Sequence, residues 1–374
     1  MTDAARSLAS TTAPSGHSNA ARPARLVPSA RSAWHWSWLA PLLLFAAVMA
    51  GTAIGETAIP LDTILKVLAN HLGDATFAVD RIDAGIVWEY RLSRAILAAC
   101  CGTGLALAGV VLQALLRNPL ADPFLMGISA GASTGAVSVA ILGIGAGTLT
   151  LSLGAFAGAG LAFGLVVVLA HTAGSGTGGG RATQAAGAII LAGIAGSQLF
   201  NALTALIIAK SASAEQARGI MFWLMGNLSG VRWDDVALAL PAALAGLAIC
   251  LWYRRALDAF TFGADSAASL GIPVRRVRGV LIAAMALVTA AMVSMVGAIG
   301  FVGLVIPHAM RFLVGSRHTR LVPASALAGA IFLIGADVLS RILVAGQVLP
   351  IGVVTALIGA PAFALILIRG ARTR

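Results

Sequence analysis

Asp337 is the one acidic residue that lies deep in an apolar stretch, and an ionisable group so placed is a candidate for moving ions or protons. Arg341 follows four residues on, the spacing at which two side chains meet on one helix face, so a local ion pair is the plainer reading. His308, in the segment PHAMR (307–311), has no second histidine or carboxylate at helical spacing and reads as a structural or interface histidine rather than a metal ligand. Cys100, Cys101 and Cys250 fall inside apolar runs. Adjacent residues on a helix point about 100° apart, so the first two cannot share a metal, and small apolar filler is their expected role. No H-E-x-x-H, no paired histidines and no Ser or Cys beside a base at helical spacing occurs, so no catalytic set, metal or cofactor is expected and the chain is not expected to be an enzyme.

Two further patterns concern backbone rather than side chains. The glycine-rich run HTAGSGTGGGRATQ (171–184) invites comparison with a phosphate-binding loop, but it lacks the Gly-Lys-Ser/Thr ending and follows no strand, so it reads as a flexible loop and no nucleotide site is expected. Asn118, Pro119, Asp122 and Pro123 interrupt an apolar run so closely that no continuous helix can pass, which predicts a rigid turn with Asp122 as a cap.

The elements that must carry these residues are membrane helices. Of the 374 residues 59% are hydrophobic and 10% charged, against roughly 25% charged in an ordinary soluble domain. Apolar runs near the length of about 20 residues that a spanning helix needs recur at 36–55, 94–115, 124–144, 148–171, 184–209, 235–253, 276–296, 299–315, 321–343 and 350–369. The fold class is therefore all-α, a polytopic membrane protein of about ten transmembrane helices. A transmembrane barrel would show segments of about ten residues with alternating polarity, which these runs do not. Small residues such as Gly102, Gly104, Ala106, Ala108 and Gly109 predict close backbone packing between spans.

The net charge of +11 forms no stripe with interleaved aromatics, so topology rather than nucleic acid accounts for it. With the N-terminus inside, alternation through ten spans puts the larger share of the 25 basic residues inside, among them Arg117, Arg254, Arg255, Arg275, Arg276, Arg317 and Arg320. Both termini are then cytoplasmic. Residues 1–35, rich in Ala, Ser, Pro and Arg, read as a disordered cytoplasmic tail ahead of a single transmembrane domain, 36–374. The segment 56–93 is the longest external stretch and 254–278 the longest internal connection.

The runs WEYRLSR (88–94) and LQALLRNPLADPFLMGISAGAS (112–133), followed by FWLMGNLSGVRW (222–233), GADSAASLGI (263–272), GAIGFVGLVIPHAMRFLVG (297–315), ADVLSR (336–341) and LPIGVVTALIGAPAF (349–363), resemble in content and order the FecCD-type permeases of ABC importers for iron-siderophores, haem and cobalamin. The resemblance implies a type II ABC importer permease fold in the bacterial inner membrane. It implies a homodimer or paired permease, two ATP-binding-cassette ATPase subunits and a periplasmic substrate-binding protein, and no nucleic acid.

By the same resemblance Arg91, Arg94 and Arg341 would take carboxylates of the binding protein, a task that suits guanidinium forks. Gly263, Asp265, Ala267, Leu270 and Gly271 would form the segment that meets the ATPase, with Gly271 and Pro273 stopping its short helix. Asn118, Pro119, Asp122 and Pro123 would form an inner turn or gate, and a stretch from about Gln198 to Met225 would line the axis. A ferric siderophore is the first expected cargo, with haem and cobalamin as alternatives. An ion-coupled secondary transporter is the other class considered, and it would need several ionisable groups at the midplane where only Asp337 qualifies.

Overall fold

The computed structural model describes residues 30–372 apart from 56, 58, 74, 146, 148–149, 176–181 and 212. The chain divides into two units, Met1–Pro41 and Leu42–Arg374, and the second carries the helical bundle. The expected tail at 1–35 falls almost wholly outside the described residues, as does most of the glycine-rich run at 171–184.

Among the described residues the regular structure is helical. In chain order the helices are α1 (Ala30–Ala53), α2 (Leu61–Leu72), α3 (Arg81–Leu115), α4 (Ile128–Leu142), α5 (Leu151–Ser175), α6 (Ala182–Ser211) and α7 (Ala214–Leu224). There follow α8 (Trp233–Trp252), α9 (Arg254–Phe260), α10 (Ala264–Ser269), α11 (Val274–Val296), α12 (Val302–Val314), α13 (His318–Ile342) and α14 (Ile351–Arg372). Each of the ten expected apolar runs carries a helix. Six of these are long and apolar enough to span a membrane: Arg81–Leu115, Leu151–Thr172, Gly187–Lys210, Trp233–Trp252, Val274–Val296 and His318–Ile342. Four are shorter, Leu39–Ala53, Ile128–Leu142, Val302–Val314 and Ile351–Leu365.

The short ones have local causes. The expected span at 124–144 begins late because Pro123–Met126 is wound as a 3-10 turn, which Gly127 ends at φ 75°. The expected span at 299–315 begins late because Gly297 (φ 76°) stops α11, and Phe301, itself at φ 68°, restarts the chain as α12. The second span, by contrast, starts early: the helix runs back from residue 94 to Arg81 through a π-helical stretch, Ile86–Leu92, and Ser93 Oγ donates to the Glu89 carbonyl (2.6 Å) without breaking it.

Burial separates a centre from a rim. The apolar window of α3 is 83% buried, against 33%, 22% and 28% for those of α5, α6 and α8, so α3 is the axis on which the bundle is built. It packs against α13, α8, α11 and α12. Small residues make the closest approaches possible. A methyl group at Gly102 would strike the Gly329 carbonyl, and one at Gly329 would strike the Gly102 carbonyl, so α3 and α13 touch backbone to backbone. Gly131 and Gly135 of α4 meet Gly158 and Gly154 of α5 in the same way, a pair of facing G-x-x-x-G spacings.

Candidate functional site

The first cluster lies where α3, α13 and the end of α1 meet. Arg94 Nε donates to Asp337 Oδ1 at 2.6 Å, and Arg94 Nη1 reaches Ser229 Oγ at 3.3 Å. Arg341 sets Nη2 2.9 Å from Asp337 Oδ2 and donates from the same atom to the Gly51 carbonyl (2.9 Å). Arg91 donates to the carbonyls of Ala53 (3.1 Å), Thr52 (3.4 Å) and Thr57. Arg94, Arg341 and Asp337 are all buried, at 1%, 5% and 1% exposure, and Arg91 at 4%.

The expected Asp337–Arg341 pair is therefore present, with Arg94 as a second partner that local spacing could not reveal. For docking, a guanidinium fork must be open to an incoming carboxylate. All three expected docking arginines are turned inward here and engaged by Asp337 or by carbonyl oxygens, because a cation at the end of an apolar span is stabilised by the nearest acceptor. Asp337 is held between the same two cations.

The second cluster is a junction of irregular segments. Asn227 N donates to the Val296 carbonyl (2.8 Å), Ile351 N to the Gly226 carbonyl (2.9 Å) and Gly352 N to the Met225 carbonyl (3.1 Å). The chain after α7, the end of α11 and the start of α14 thus share their backbone bonds. Glycine is required at the crossing, since Gly226 and Gly297 both have positive φ and added methyl groups would meet the Ala298 and Trp223 carbonyls.

Two open cavities flank the non-helical Gly297–Phe301 stretch. One, of ≈ 460 Å³, is lined by Asp122, Phe124, Leu125, Ile194, Ser197, Gln198, Gly300, Phe301 and Leu304. The other, of ≈ 440 Å³, lies against Met225, Ala298, Gly352, Val353, Ala356 and Leu357. Irregular backbone between spans at membrane depth is tolerated where it is buried in protein or lines a wet cavity.

The third cluster joins the turn after α3 to α12. Gln113 donates through Nε2 to the carbonyls of Gly303 (3.1 Å), Leu304 (3.2 Å) and Ala121 (3.4 Å), while its Oε1 accepts from Arg311 Nη1. In the turn itself Asn118 Oδ1 accepts from Leu120 N (2.9 Å), closing the turn, and Asp122 Oδ1 accepts from Phe124 N (2.8 Å), capping the 3-10 turn that Pro123 starts, while Pro119 keeps α3 from running on. Burial pushes the Asp122 carboxyl up to about 6, with the Phe124 amide opposing.

The same end carries α9 and α10. Gly263 is buried beside the Arg117 guanidinium, which links the turn after α3 to the start of α10. Asp258 Oδ1 accepts from His318 N (2.8 Å) and sits 2.7 Å from His318 Nδ1, which clasps α9 to the N-terminus of α13. Of the residues expected to meet an ATPase, Asp265 and Gly271 are exposed and Leu270 is 71% exposed, whereas Ala267 is fully buried and holds α10 to the body. Phe262, 77% exposed, adds a second apolar knob at the other end of α10.

Sequence reasoning does not single out Gln113, the Asp258–His318 clasp or the Gly226–Gly297 crossing. Gln113 has a usable signal, a lone carboxamide in an otherwise apolar run; the clasp joins residues 60 apart and has none.

A family model described as the FecCD transport family matches residues 42–369. The cobalamin import system permease protein BtuC of Halobacterium salinarum is 37% identical over 364 residues, covering 89% of this chain and 95% of its own. The vitamin B12 import system permease protein BtuC of Salmonella schwarzengrund is 39% identical, covering 76% and 84%. An uncharacterized ABC transporter permease protein, YvrB of Bacillus subtilis, is 37% identical, covering 87% and 91%. Among solved structures, an inward-facing ABC transporter described as of metal-chelate type superposes with a TM-score of 0.74 at 29% identity, covering 89% of this chain and 98% of that one.

Proposed function

This chain belongs to the FecCD transport family and is the membrane permease of an ABC importer, and from that premise we propose that it carries a metal chelate of the corrinoid class inward, between two copies of itself. Relatives from an archaeon and a bacterium whose names specify cobalamin or vitamin B12 support the corrinoid over the ferric siderophore expected first. The observation within the fold that supports a passage is the non-helical Gly297–Phe301 stretch with an open cavity on either side. A ferric siderophore is the second reading, favoured by the likeness to a transporter of metal-chelate type.

The partners are assigned from the two ends of the bundle. We assign the end with Arg117, Arg254, Arg255 and Arg317 to the cytoplasm, where Asp265, Leu270 and Phe262 form the exposed edge of α10 for an ATPase subunit. The opposite end, with α2 and the arginine cluster, receives the binding protein. Docking through Arg91, Arg94 and Arg341 is an exchange in this reading: carboxylates of the binding protein compete with Asp337 and the Thr52–Thr57 carbonyls for the guanidinium forks. Asn118, Pro119, Asp122 and Pro123 form the inner wall of the passage.

The test is reconstitution in proteoliposomes with the cognate ATPase and binding protein, measuring ATP-dependent uptake of cyanocobalamin, haem and a ferric siderophore side by side. Uptake of cyanocobalamin above the other two supports the reading. Uptake of the siderophore alone replaces it with the second, and uptake of none of the three overturns both.

A further inference from the structure

The middle of α6 is not built like a lipid-facing helix. Its span runs from Gly187 to Lys210, so Gln198 and Asn201 lie at the level of the bilayer centre. Both side chains are exposed, and neither makes a hydrogen bond to another described residue. Ile194, Gln198, Asn201 and Ala205, all exposed, succeed one another at the spacing that forms a single edge. Leu199, Leu203 and Leu206 form a different exposed edge that is wholly apolar. One helix thus presents hydrocarbon on one side and two free carboxamides on another.

An amide with no partner in hydrocarbon loses its hydrogen bonds to water and gains nothing in return, so the amide edge must meet water or a polar molecule in its working state. The ≈ 460 Å³ cavity supplies the place at Gln198, and Asn201 carries the same edge on beyond its lining. Gln198 and Ser197 stand on one wall, Asp122 on another, and Phe124, Leu125, Phe301 and Leu304 make the rest apolar. A large flat apolar body with a hydrogen-bonding rim fits such a surface, since each carboxamide offers both donors and an acceptor.

Building on the permease reading, we propose that Gln198 and Asn201 contact the cargo and select for chelates whose rim presents carboxamide, carbonyl or hydroxyl groups.

Two measurements on the reconstituted importer test this. The first is uptake: Gln198→Leu and Asn201→Leu each lower cyanocobalamin uptake about tenfold, through lost hydrogen bonds to the rim, and lower haem uptake less. The second uses thiol chemistry, for which the background is low because Cys100, Cys101 and Cys250 are all buried. Gln198→Cys and Asn201→Cys react with a charged, water-soluble thiol reagent, Leu199→Cys does not, and cyanocobalamin trapped in the transporter slows the first two.

Equal reactivity at 198, 199 and 201, or uptake unchanged in both leucine variants, overturns the proposal. So does spontaneous disulfide formation between two copies of Asn201→Cys without protection by cargo, which would put the amides in the contact between copies. Failure of the wild type to take up any chelate overturns the permease cargo reading itself, whereas normal wild-type uptake with unaffected variants overturns only the role of these two residues.

Discussion

Arg94 of α3 and Asp337 of α13 meet at 2.6 Å across 243 residues of chain, both almost completely buried. With Arg341 on the other carboxylate oxygen, one acid serves two cations. Removing that acid leaves two uncompensated buried charges, so Asp337→Ala is expected to destabilise the bundle by about 3–5 kcal/mol, the cost of breaking a buried pair by taking one partner. Thermal unfolding in detergent measures it. The triple change Arg94→Met, Asp337→Leu and Arg341→Met should recover most of the loss. A single-site loss below about 1 kcal/mol would show the cluster to be surface-like.

Reversal of the arginines separates docking from folding. Arg94→Glu should lower stability and binding-protein affinity together, because the fork is part of the core. Arg91→Ala should leave the ion pairs of Asp337 intact and weaken affinity, with a shallower salt dependence, if an incoming carboxylate takes the fork from the Thr52–Thr57 carbonyls. Unchanged affinity and salt dependence would remove Arg91 from the docking surface.

The α4–α5 contact depends on absent side chains. A methyl group on Gly158 would run into the Gly131 carbonyl, so Gly158→Val must separate the two helices, at an expected cost of about 1–3 kcal/mol or more. Gly160 is the internal control, since nothing lies near its added methyl group and Gly160→Ala should be neutral. Unfolding midpoints of the two variants decide the matter.

On α10 the exposed and buried residues should fail differently. Leu270→Asp is expected to weaken ATPase association by about tenfold or more, as loss of an apolar anchor does, with no change in unfolding midpoint. Ala267→Leu should instead lower the midpoint, because that position has no room. Co-purification and thermal unfolding, read together, test both halves.

Asp122 gives a pH dependence whose sign is fixed by its carboxyl, raised to about 6 against an ordinary 3.8. Between those values the folded state holds the proton that the unfolded chain releases. This contribution to stability is therefore full below the ordinary value, falls by at most about 1.4 kcal/mol per pH unit, and is gone once the pH passes about 6. Asp122→Asn keeps a capping oxygen and removes the titration. Its unfolding midpoint should vary less between pH 4 and 6 than that of the wild type, roughly as one proton's linkage requires. Identical profiles would place the carboxyl in water.

What is legible in the sequence is whatever repeats or interrupts a local pattern. Apolar runs locate the ten apolar helices, six of them long enough to span a membrane, paired prolines locate the turn at Asn118–Pro123, and Gly271 with Pro273 locates the end of α10. The amphipathic α2 and the capped α7 escape notice because short polar helices between spans look like loops when only hydropathy is followed. Arg94 looks like an open fork because its partner lies on another helix, and charge at the end of a span does not say whether it turns outward or in. The break at Gly297 is legible as the gap between the apolar runs 276–296 and 299–315, whereas the positive φ of Phe301, which delays the next helix to Val302, has no signal in a non-glycine residue.

The two polar fastenings of α13 have a mechanical meaning when taken as a pair. His318, at one end, is held by Asp258 of α9; Asp337, near the other, is held by Arg94 of α3. The 25 residues of the helix make a rod of about 37 Å, fastened at its first residue and again about a turn and a half short of its last. A tilt of ~5° about one fastening would carry the far end ~3 Å over that length. A displacement of α9 would thus be passed to the far end of α13 by one stiff member, much as a pushrod works a valve. Cutting the His318 fastening, which leaves the buried Arg94–Asp337 pair in place, should uncouple α9 from the far end of α13.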